Sequence, residues 1–285
     1  MKTLVKVPFK ATAVAARGVA TGLVALALAS SGCTQAPASG SESGSLTATT
    51  SAAPLELNVS AAASLKKVLT DTAPAFETSS GAKVVLNFGA SGQLVKQIEG
   101  GAPVDVFVSA SPSAVTTLAG EGLVSAEESE TVAGNTLVVL VPQGNPASVH
   151  APQDLLKVAK LTTGDPAVAP HGQKAVEWLS VIGLWEKIAP KLVYAANAAQ
   201  TDDYVARGEV DAGVGFASDA KGRTDIEVAY TVPDGTINPI TYVAAPAAAS
   251  KQQELAKAYL AYLMSPEMQQ AFVDAGFKQS PALAK

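Results

Sequence analysis

From residue 55 onward, short apolar runs alternate with longer amphipathic stretches. The run at 55–59 has the length and composition of a strand. Small residues follow at 61–63, and apolar side chains then recur over 65–72 at the spacing of one helix face. Ser64 lies where the N-cap of that helix belongs. The pattern therefore predicts a strand that leads through small residues into a helix.

The same alternation continues along the chain. It predicts further strands at 84–88, 104–108, 135–141, 161–163, 191–194, 210–216, 226–232 and 241–245. It predicts helices at 64–78, 91–99, 112–120, 152–160, 172–182, 198–207, 251–264 and 266–275. Most of the strands are short apolar runs, as expected when helices cover both faces of a sheet. Strands that alternate with helices favour a parallel α/β sheet with right-handed crossovers.

The order of these elements predicts two α/β lobes. The first comprises residues 55–132 and 241–285, and the second comprises residues 133–240. The chain crosses from the first lobe to the second and returns, and two C-terminal helices complete the first lobe. In open α/β sheets a ligand binds in the crevice outside the carboxyl ends of the strands. We therefore expect a binding site between the lobes.

The first 54 residues have the composition of a targeting segment and a tether. A basic region precedes an apolar stretch at 18–29, which is short for a membrane span. Cys33, the sole cysteine, follows and resembles the acylated residue of a bacterial lipoprotein signal, although Ser30 stands where that signal usually has Leu. We expect a signal segment at 1–33, lipidation of Cys33 and a flexible tether at 34–54. The alternative is a secreted protein with an unpaired thiol.

Composition excludes several classes of function. The chain has 285 residues, 48% of them hydrophobic, which is enough for a sizeable core. Its net charge of −5 argues against an extended nucleic-acid surface, and an aromatic content of 5% argues against a stacking platform. His150 and His171 are the only histidines, too few for a His-rich metal site.

Four of the predicted strand-to-helix junctions have small or turn-forming residues where the helix starts. They lie at 61–64, 88–92, 164–172 and 195–198. Small residues let a ligand approach the free N–H groups of a helix N-terminus, where the helix dipole favours an anion. Ser64 and Ser91 add hydroxyl donors, and no Lys or Arg occurs in any of the four junctions. The pattern predicts an anion site built from N–H and O–H donors.

Six blocks of the sequence occur together in one known family. They are AAASL at 61–65, GASGQL at 89–94, QIEGGAPVDVF at 97–107, GNTLVV at 134–139, GDP at 164–166 and GEVDAGVGFASDA at 208–220. Together these blocks resemble the molybdate-binding proteins of bacterial ABC importers. The resemblance implies the two-lobed α/β fold of type II periplasmic binding proteins. In that fold each lobe is a mainly parallel sheet flanked by helices, and the ligand lies in the cleft between the lobes.

The resemblance also implies a function and partners. It implies an extracytoplasmic binding protein, lipid-anchored through Cys33, that captures molybdate or tungstate and delivers it to a membrane ABC permease. Such a protein is a monomer and not an enzyme. It needs no cofactor, binds no nucleic acid and has no direct metal ligands, because it holds the oxyanion through hydrogen bonds.

The residues implied for oxyanion binding number five. Ser64 and Ser91 align with serines that donate hydroxyl and backbone N–H groups. His171 and Ala198 align with backbone N–H donors of the third and fourth loops. Phe216 aligns with a position that is commonly Tyr, so one hydroxyl donor of the family is absent here.

Two alternatives stay open at this point. The first is a binding protein for another ligand, such as sulfate, phosphate or ferric iron. The second is a serine hydrolase, because residues 89–93 nearly match a nucleophile elbow, with the second Gly displaced by one position. No His follows Ser91 in a convincing triad context, which disfavours the hydrolase.

Overall fold

The computed structural model describes residues 55–283. The predicted signal segment at 1–33 with Cys33 and Ser30, and the predicted tether at 34–54, lie outside the described residues. Among the described residues, no helix combines the length and the apolar character that crossing a bilayer requires.

The structure contains alternating strands and helices, as the sequence predicts. The strands are β1 Glu56–Ala62, β2 Lys83–Gly89, β3 Val106–Ser109, β4 Glu130–Asn135, β5 Leu137–Pro142, β6 Leu161–Gly164, β7 Leu192–Ala195, β8 Ala212–Phe216, β9 Ile226–Thr231, β10 Ile240–Pro246 and β11 Lys278–Gln279. The α-helices are α1 Lys66–Ser80, α2 Ser91–Glu99, α3 Pro112–Gly120, α4 Pro170–Val181, α5 Trp185–Ile188, α6 Ala198–Ala206, α7 Ala217–Ala220, α8 Gln253–Leu263 and α9 Pro266–Asp274. Three short 3₁₀ turns lie at Ala63–Leu65, Pro152–Leu156 and Ala189–Lys191, so the helix predicted at 152–160 is only a turn.

The strands form two sheets. The first has the order β11-β4-β10-β3-β1-β2, and the second has the order β7-β6-β8-β5-β9. Strand β1 pairs in parallel with β2 and β3, and β6 pairs in parallel with β7 and β8. These parallel strands are the ones that lead into helices, since a parallel pair needs a crossover connection.

The remaining strands carry the chain between the sheets and pair antiparallel. Strand β10 is antiparallel to β3 and β4, and β5 is antiparallel to β8 and β9. The predicted two-lobed α/β fold is confirmed, with the difference that each sheet is mixed. The difference arises because the crossing strands are not part of β-α-β units.

The chain passes from the first sheet to the second through a very short connection and returns through a longer one. Only Thr136 separates β4 of the first sheet from β5 of the second. The return path runs through residues 232–239, between β9 and β10. The first predicted lobe boundary, after residue 132, lies three or four residues before the change of sheet at Thr136. The second predicted boundary, after residue 240, lies at the start of β10.

The C-terminal helices pack back onto the start of the chain. Phe76 of α1 meets the ring of Tyr259 of α8 edge-on, with centroids 5.0 Å apart. The Tyr262 hydroxyl donates to the Thr72 carbonyl at 2.8 Å. These contacts cover the first sheet with residues from both ends of the folded chain.

Replacement of Phe76 by Ala tests this packing. Phe76 is 3% exposed, so Phe76→Ala should lower the free energy of unfolding by about 3–5 kcal/mol through lost burial and a new cavity. Urea unfolding followed by far-UV circular dichroism measures the change. Val181→Ala is the control, because Val181 is 62% exposed and should change stability by less than about 0.5 kcal/mol. Equal effects of the two substitutions would contradict the packing described.

Candidate functional site

The five predicted binding residues surround one small cavity. Ser64, Ser91, His171, Ala198 and Phe216 all line it, and the other lining residues are Ala, Gly and Pro. The two serines follow strands of the first sheet, and the other three lie at or after the ends of strands in the second. The cavity therefore lies between the two sheets, at the carboxyl ends of their strands.

The size of the cavity restricts what it can hold. The space open to the centre of a water-sized sphere is about 10 Å³, close to what one water molecule needs. Cavities for drug-sized ligands are usually about 300–1,000 Å³. In this state of the protein the site can enclose only a compact ligand.

A larger cavity lies where the chain crosses between the sheets. Its volume is about 330 Å³, and Thr136, Val232 and Pro239 are among the residues that line it. Its lining is mostly apolar, and no helix of the described residues begins in it. The smaller cavity is the better candidate because polar donors converge there.

Four helix starts meet at the small cavity. Ser64 lies in the 3₁₀ turn that leads into α1, and Ser91 is the first residue of α2. His171 is the second residue of α4, and Ala198 is the first of α6. The first N–H groups of a helix have no acceptor within it, and they carry the positive end of the helix dipole. The cavity is therefore surrounded by partial positive charge from the backbone.

Glycines allow the third helix to start so close to its strand. A Cβ atom at Gly164 would lie 2.4 Å from Cε1 of His171, and one at Gly172 would lie 2.0 Å from the Gly164 carbonyl oxygen. Pro170 occupies the first position of α4, where its missing N–H removes no hydrogen bond of the helix. These residues bring the start of α4 against the end of β6.

A side-chain cap sets the start of the fourth helix. The Asn197 side chain accepts a hydrogen bond from the Gln200 N–H at 3.1 Å. This cap satisfies one N–H of the first turn of α6. The N–H groups of Ala198 and Ala199 precede it and point out of the helix end, where Ala198 lines the cavity.

Both serine hydroxyls of the cavity have a partner in the protein. The Ser91 Oγ accepts a hydrogen bond from the Ala110 N–H at 3.2 Å. The Ser64 Oγ lies 2.8 Å from the Tyr242 hydroxyl. A serine whose oxygen accepts a bond still has its own proton to donate. Ser91 can therefore donate that proton to a ligand in the cavity.

His171 adds no positive charge to the site. Its ring is 2% exposed, and its Nε2 lies 2.9 Å from the Thr201 Oγ1. Burial lowers the pKa of His171 to about 4, so the imidazole is neutral at neutral pH. Its contribution to an anion is therefore the backbone N–H and not a charge.

Phe216 supplies an apolar wall. Its ring is fully buried and packs edge-on against His171 and Tyr242, with centroids 5.9 and 6.3 Å apart. Its backbone N–H donates to the Asp219 carboxylate at 2.9 Å and so is not available to a ligand. Phe216 therefore shapes the cavity and excludes water from it, but it offers no hydrogen-bond donor to a ligand.

Two carboxyl groups, Asp202 buried and Asp219 half-buried, lie behind this wall. Asp219 caps the start of α7 by accepting the Phe216 N–H. Asp202 is 6% exposed, and its Oδ1 has no hydrogen-bond partner among the described residues. Burial raises the pKa of both carboxyl groups, and the charge of Arg223 opposes the shift. No group of three or more His, Cys, Asp or Glu within residues 55–283 is placed to hold a metal ion.

Sequence reasoning missed Tyr242, Asn135, Thr201 and Asp202. Tyr242 reaches Ser64, and Thr201 reaches the His171 ring, only because distant segments meet in the fold. A Tyr within an apolar strand indicates a buried hydroxyl that needs a partner, but the sequence does not show that the partner is Ser64.

These features define a class of protein. Two α/β lobes joined by crossing strands, with a small donor-lined cavity between them, are the architecture of a two-lobed solute-binding protein. Residues 57–278 match the family described as bacterial extracellular solute-binding protein. The chain belongs to this family of bacterial extracellular solute-binding proteins.

Individual relatives agree with this membership. The molybdate-binding protein ModA of Escherichia coli (strain K12) is 31% identical over 231 residues, which is 78% of this chain and 88% of ModA. The periplasmic molybdate-binding protein of Azotobacter vinelandii matches with a TM-score of 0.70 at 23% identity, over 78% of this chain and 98% of that one. The sulfate-binding protein SubI of Mycobacterium tuberculosis H37Rv matches with a TM-score of 0.72 at 17% identity, over 81% of this chain and 89% of that one. The two structures show the shared fold alone.

The buried carboxyl group of Asp202 predicts a pH dependence of stability. Its pKa is raised on folding, so its contribution to stability is complete below the ordinary value of about 4 and is lost as pH rises toward the raised value. Asp202→Asn removes this loss, because an amide does not ionise. The free energy of unfolding of Asp202→Asn minus that of wild type should therefore increase between pH 5 and pH 8 in urea titrations.

Asp203→Asn is the matched control. Asp203 is the neighbouring carboxyl, its side chain is 50% exposed, and it lies 3.7 Å from Arg207. Its effect should be small at both pH values. A difference for Asp202→Asn that stays constant with pH would refute the buried-carboxyl assignment.

Proposed function

We propose that this protein binds a tetrahedral oxyanion, with molybdate as the ligand and tungstate as its near equivalent, as the substrate-binding protein of an ABC importer. The observation that supports this most is the lining of the small cavity. Ser64 and Ser91 meet there with the starts of four helices. No Lys or Arg of residues 55–283 lines it. The anion is held by hydrogen bonds and helix dipoles, without a paired cation.

The donor chemistry selects among oxyanions. Molybdate and tungstate are fully deprotonated near neutral pH, so each oxygen can only accept a hydrogen bond. A site of donors alone matches them and penalises hydrogen phosphate, whose proton needs an acceptor. Sulfate carries the same charge as molybdate and is smaller, so the dimensions of the cavity must discriminate between the two.

The expected affinity is high without a salt bridge. Hydrogen bonds to a charged group contribute roughly 1.5–3 kcal/mol each. With about six such donors, less the cost of ordering ligand and protein, affinities from nanomolar to micromolar are attainable. Burial of the cavity strengthens each of these bonds, since water does not compete for the donors.

The relatives support molybdate as the first choice of ligand. The Escherichia coli relative, which this chain matches over most of its length, is named a molybdate-binding protein. The sulfate-binding protein that shares the fold makes sulfate the second candidate. The resemblance of the loops at 61–65 and 89–94 to molybdate-binding proteins favours the first.

Location and partners follow from this proposal. The family is extracellular, and Cys33 serves as the lipid anchor and new N-terminus after cleavage of residues 1–32. We propose a monomer that delivers the anion to a membrane permease. We assign residues 55–132 and 241–285 to the first lobe and residues 133–240 to the second. The two lobes close on the ligand by hinge motion at the two connections between the sheets, one after β4 and one before β10.

The serine hydrolase alternative has little support. The imidazole of His171 is bonded to Thr201, and the Ser91 Oγ accepts from the Ala110 N–H. Ser91 therefore lacks the adjacent base that a nucleophile needs. The family to which the chain belongs is one of binding proteins.

Titration calorimetry with molybdate, tungstate, sulfate and phosphate tests the function, and Ser64→Ala tests the site. Loss of one charge-assisted donor should weaken molybdate binding by one to two orders of magnitude, following from about 1.5–3 kcal/mol per bond. Ser113→Ala, an exposed serine of α3, should leave the affinity unchanged. Molybdate binding that survives Ser64→Ala at full strength would remove Ser64 from the site.

Gly92→Ala tests closure between the lobes. The Gly92 N–H donates to the Val168 carbonyl at 2.9 Å, and a Cβ at Gly92 would lie 2.8 Å from that carbonyl oxygen. Such overpacking costs about 1–3 kcal/mol, so the substitution should weaken molybdate binding roughly tenfold in calorimetry. Gly120→Ala in α3 is the control, because a Cβ there meets no atom within 4 Å. If the two substitutions leave the affinity equal, this contact is not part of the ligand-bound state.

A further inference from the structure

We propose that Tyr242 is a positioning residue that forces the Ser64 hydroxyl to act as a donor toward the cavity, and so sets the preference for fully deprotonated anions. The proposal rests on the proposed function, because it concerns the same site. It comes from a chain of hydrogen bonds that runs from the crossing strands to the ligand cavity. Each step of the chain has a direction, which the contacts determine.

The direction starts at the side-chain amide of Asn135. Its Oδ1 accepts the Thr136 N–H at 2.8 Å, so the other amide atom must be Nδ2. Exchanging the two atoms would set two N–H groups against each other. Nδ2 donates to the Ser218 Oγ at 2.9 Å and to the Tyr242 hydroxyl oxygen at 3.1 Å. Since an amide nitrogen cannot accept, Tyr242 is the acceptor in this bond.

The next step follows from the single proton of Tyr242. Its hydroxyl oxygen already accepts from Asn135, and its other contact is the Ser64 Oγ at 2.8 Å. A buried hydroxyl proton without an acceptor is costly, so the proton of Tyr242 points to its remaining polar contact, the Ser64 Oγ. Tyr242 is fully buried, and burial raises the pKa of its phenol, so the proton stays in place.

The last step aims Ser64 at the ligand. Its oxygen accepts from Tyr242, which leaves its own proton free to donate into the cavity that it lines. Ser91 is held in the same way, because its oxygen accepts from the Ala110 N–H. In each serine one lone pair is engaged by a protein donor and the proton is directed at the cavity, so the hydroxyl presents a donor, and not an acceptor, to the ligand. A wall of Phe216 beside Tyr242 offers no replacement donor.

The chain also reaches the other lobe. Ser218, which accepts from Asn135, belongs to α7 beside the second sheet and lies 3.3 Å from the Asp219 carboxylate. Asn135 ends β4 of the first sheet. The alignment of Ser64 is therefore complete when Asn135 and Ser218 are in contact across the change of sheet.

Tyr242→Phe removes the hydroxyl and keeps the ring. Calorimetry with molybdate and with phosphate at pH 7 should show molybdate binding weakened three- to tenfold, as expected for one lost hydrogen bond. Phosphate should lose less or gain, because the Ser64 hydroxyl is then free to rotate and to accept a hydrogen bond from the protonated phosphate oxygen. Tyr259→Phe is the matched control, since Tyr259 is an equally buried tyrosine on α8, and it should leave both affinities unchanged.

A double-mutant cycle separates positioning from general structure. If Tyr242 acts through Ser64, Tyr242→Phe should have no further effect on molybdate binding in a Ser64→Ala background. Equal loss for molybdate and phosphate, or full additivity with Ser64→Ala, would overturn the proposal.

A ligand-free measurement distinguishes failure of the inference from failure of the proposed function. In the unliganded protein with labelled tyrosine, the Tyr242 hydroxyl proton should exchange slowly and show a nuclear Overhauser effect to the Ser64 β protons. Lack of binding to the whole oxyanion panel would refute the proposed function and leave this signal in place. A Tyr242 hydroxyl proton that exchanges fast or lies away from Ser64 would refute the relay, whatever the protein binds.

Discussion

The structure depends on one electrostatic arrangement, in which the positive ends of four helices converge on a cavity that no cationic side chain of residues 55–283 lines. Each helix start contributes N–H groups that have no acceptor within the helix, and Ser64 and Ser91 add hydroxyl protons. Partial charges of this kind are fixed by the backbone, so they need no reorganisation when an anion arrives. The neutral imidazole of His171 keeps the site free of a full positive charge. A binding protein must also release its ligand, and an anion without a salt bridge can leave when the lobes separate.

The arrangement of the strands brings these helix starts together. Parallel strands in each sheet deliver helices to the same edge, and the antiparallel crossing strands β4, β5, β9 and β10 hold the two edges face to face. Small residues are needed where the two lobes touch, as the contact of Gly92 with Val168 shows. They are also needed within the second lobe, where Gly164 and Gly172 let the start of α4 lie against β6. The apolar core around Phe76 stabilises the fold, so the residues that line the cavity do not have to.

Much of this could be predicted from the sequence, because the signals are local. Strand runs, helix periodicity and small residues at the junctions place Ser64, Ser91, His171 and Ala198 at helix starts, and the topology of α/β proteins brings such starts together. The mixed sheets and the hydrogen-bond chain could not be predicted in the same way. Tyr242 contacts Ser64 across 178 residues and Asn135 across 107. Pairings at such separations leave no periodic trace, since they depend on how the whole chain closes.

The proposed function therefore requires a bare dianion surrounded by donors. The most direct test is a crystal structure of the molybdate complex, with the metal located by its anomalous scattering. The proposed function predicts one anomalous peak in the cavity between Ser64 and Ser91, with oxygens at hydrogen-bond distance from both hydroxyls and from the N–H groups of His171 and Ala198. A peak elsewhere, or an oxyanion gripped by a lysine or arginine side chain, would contradict it.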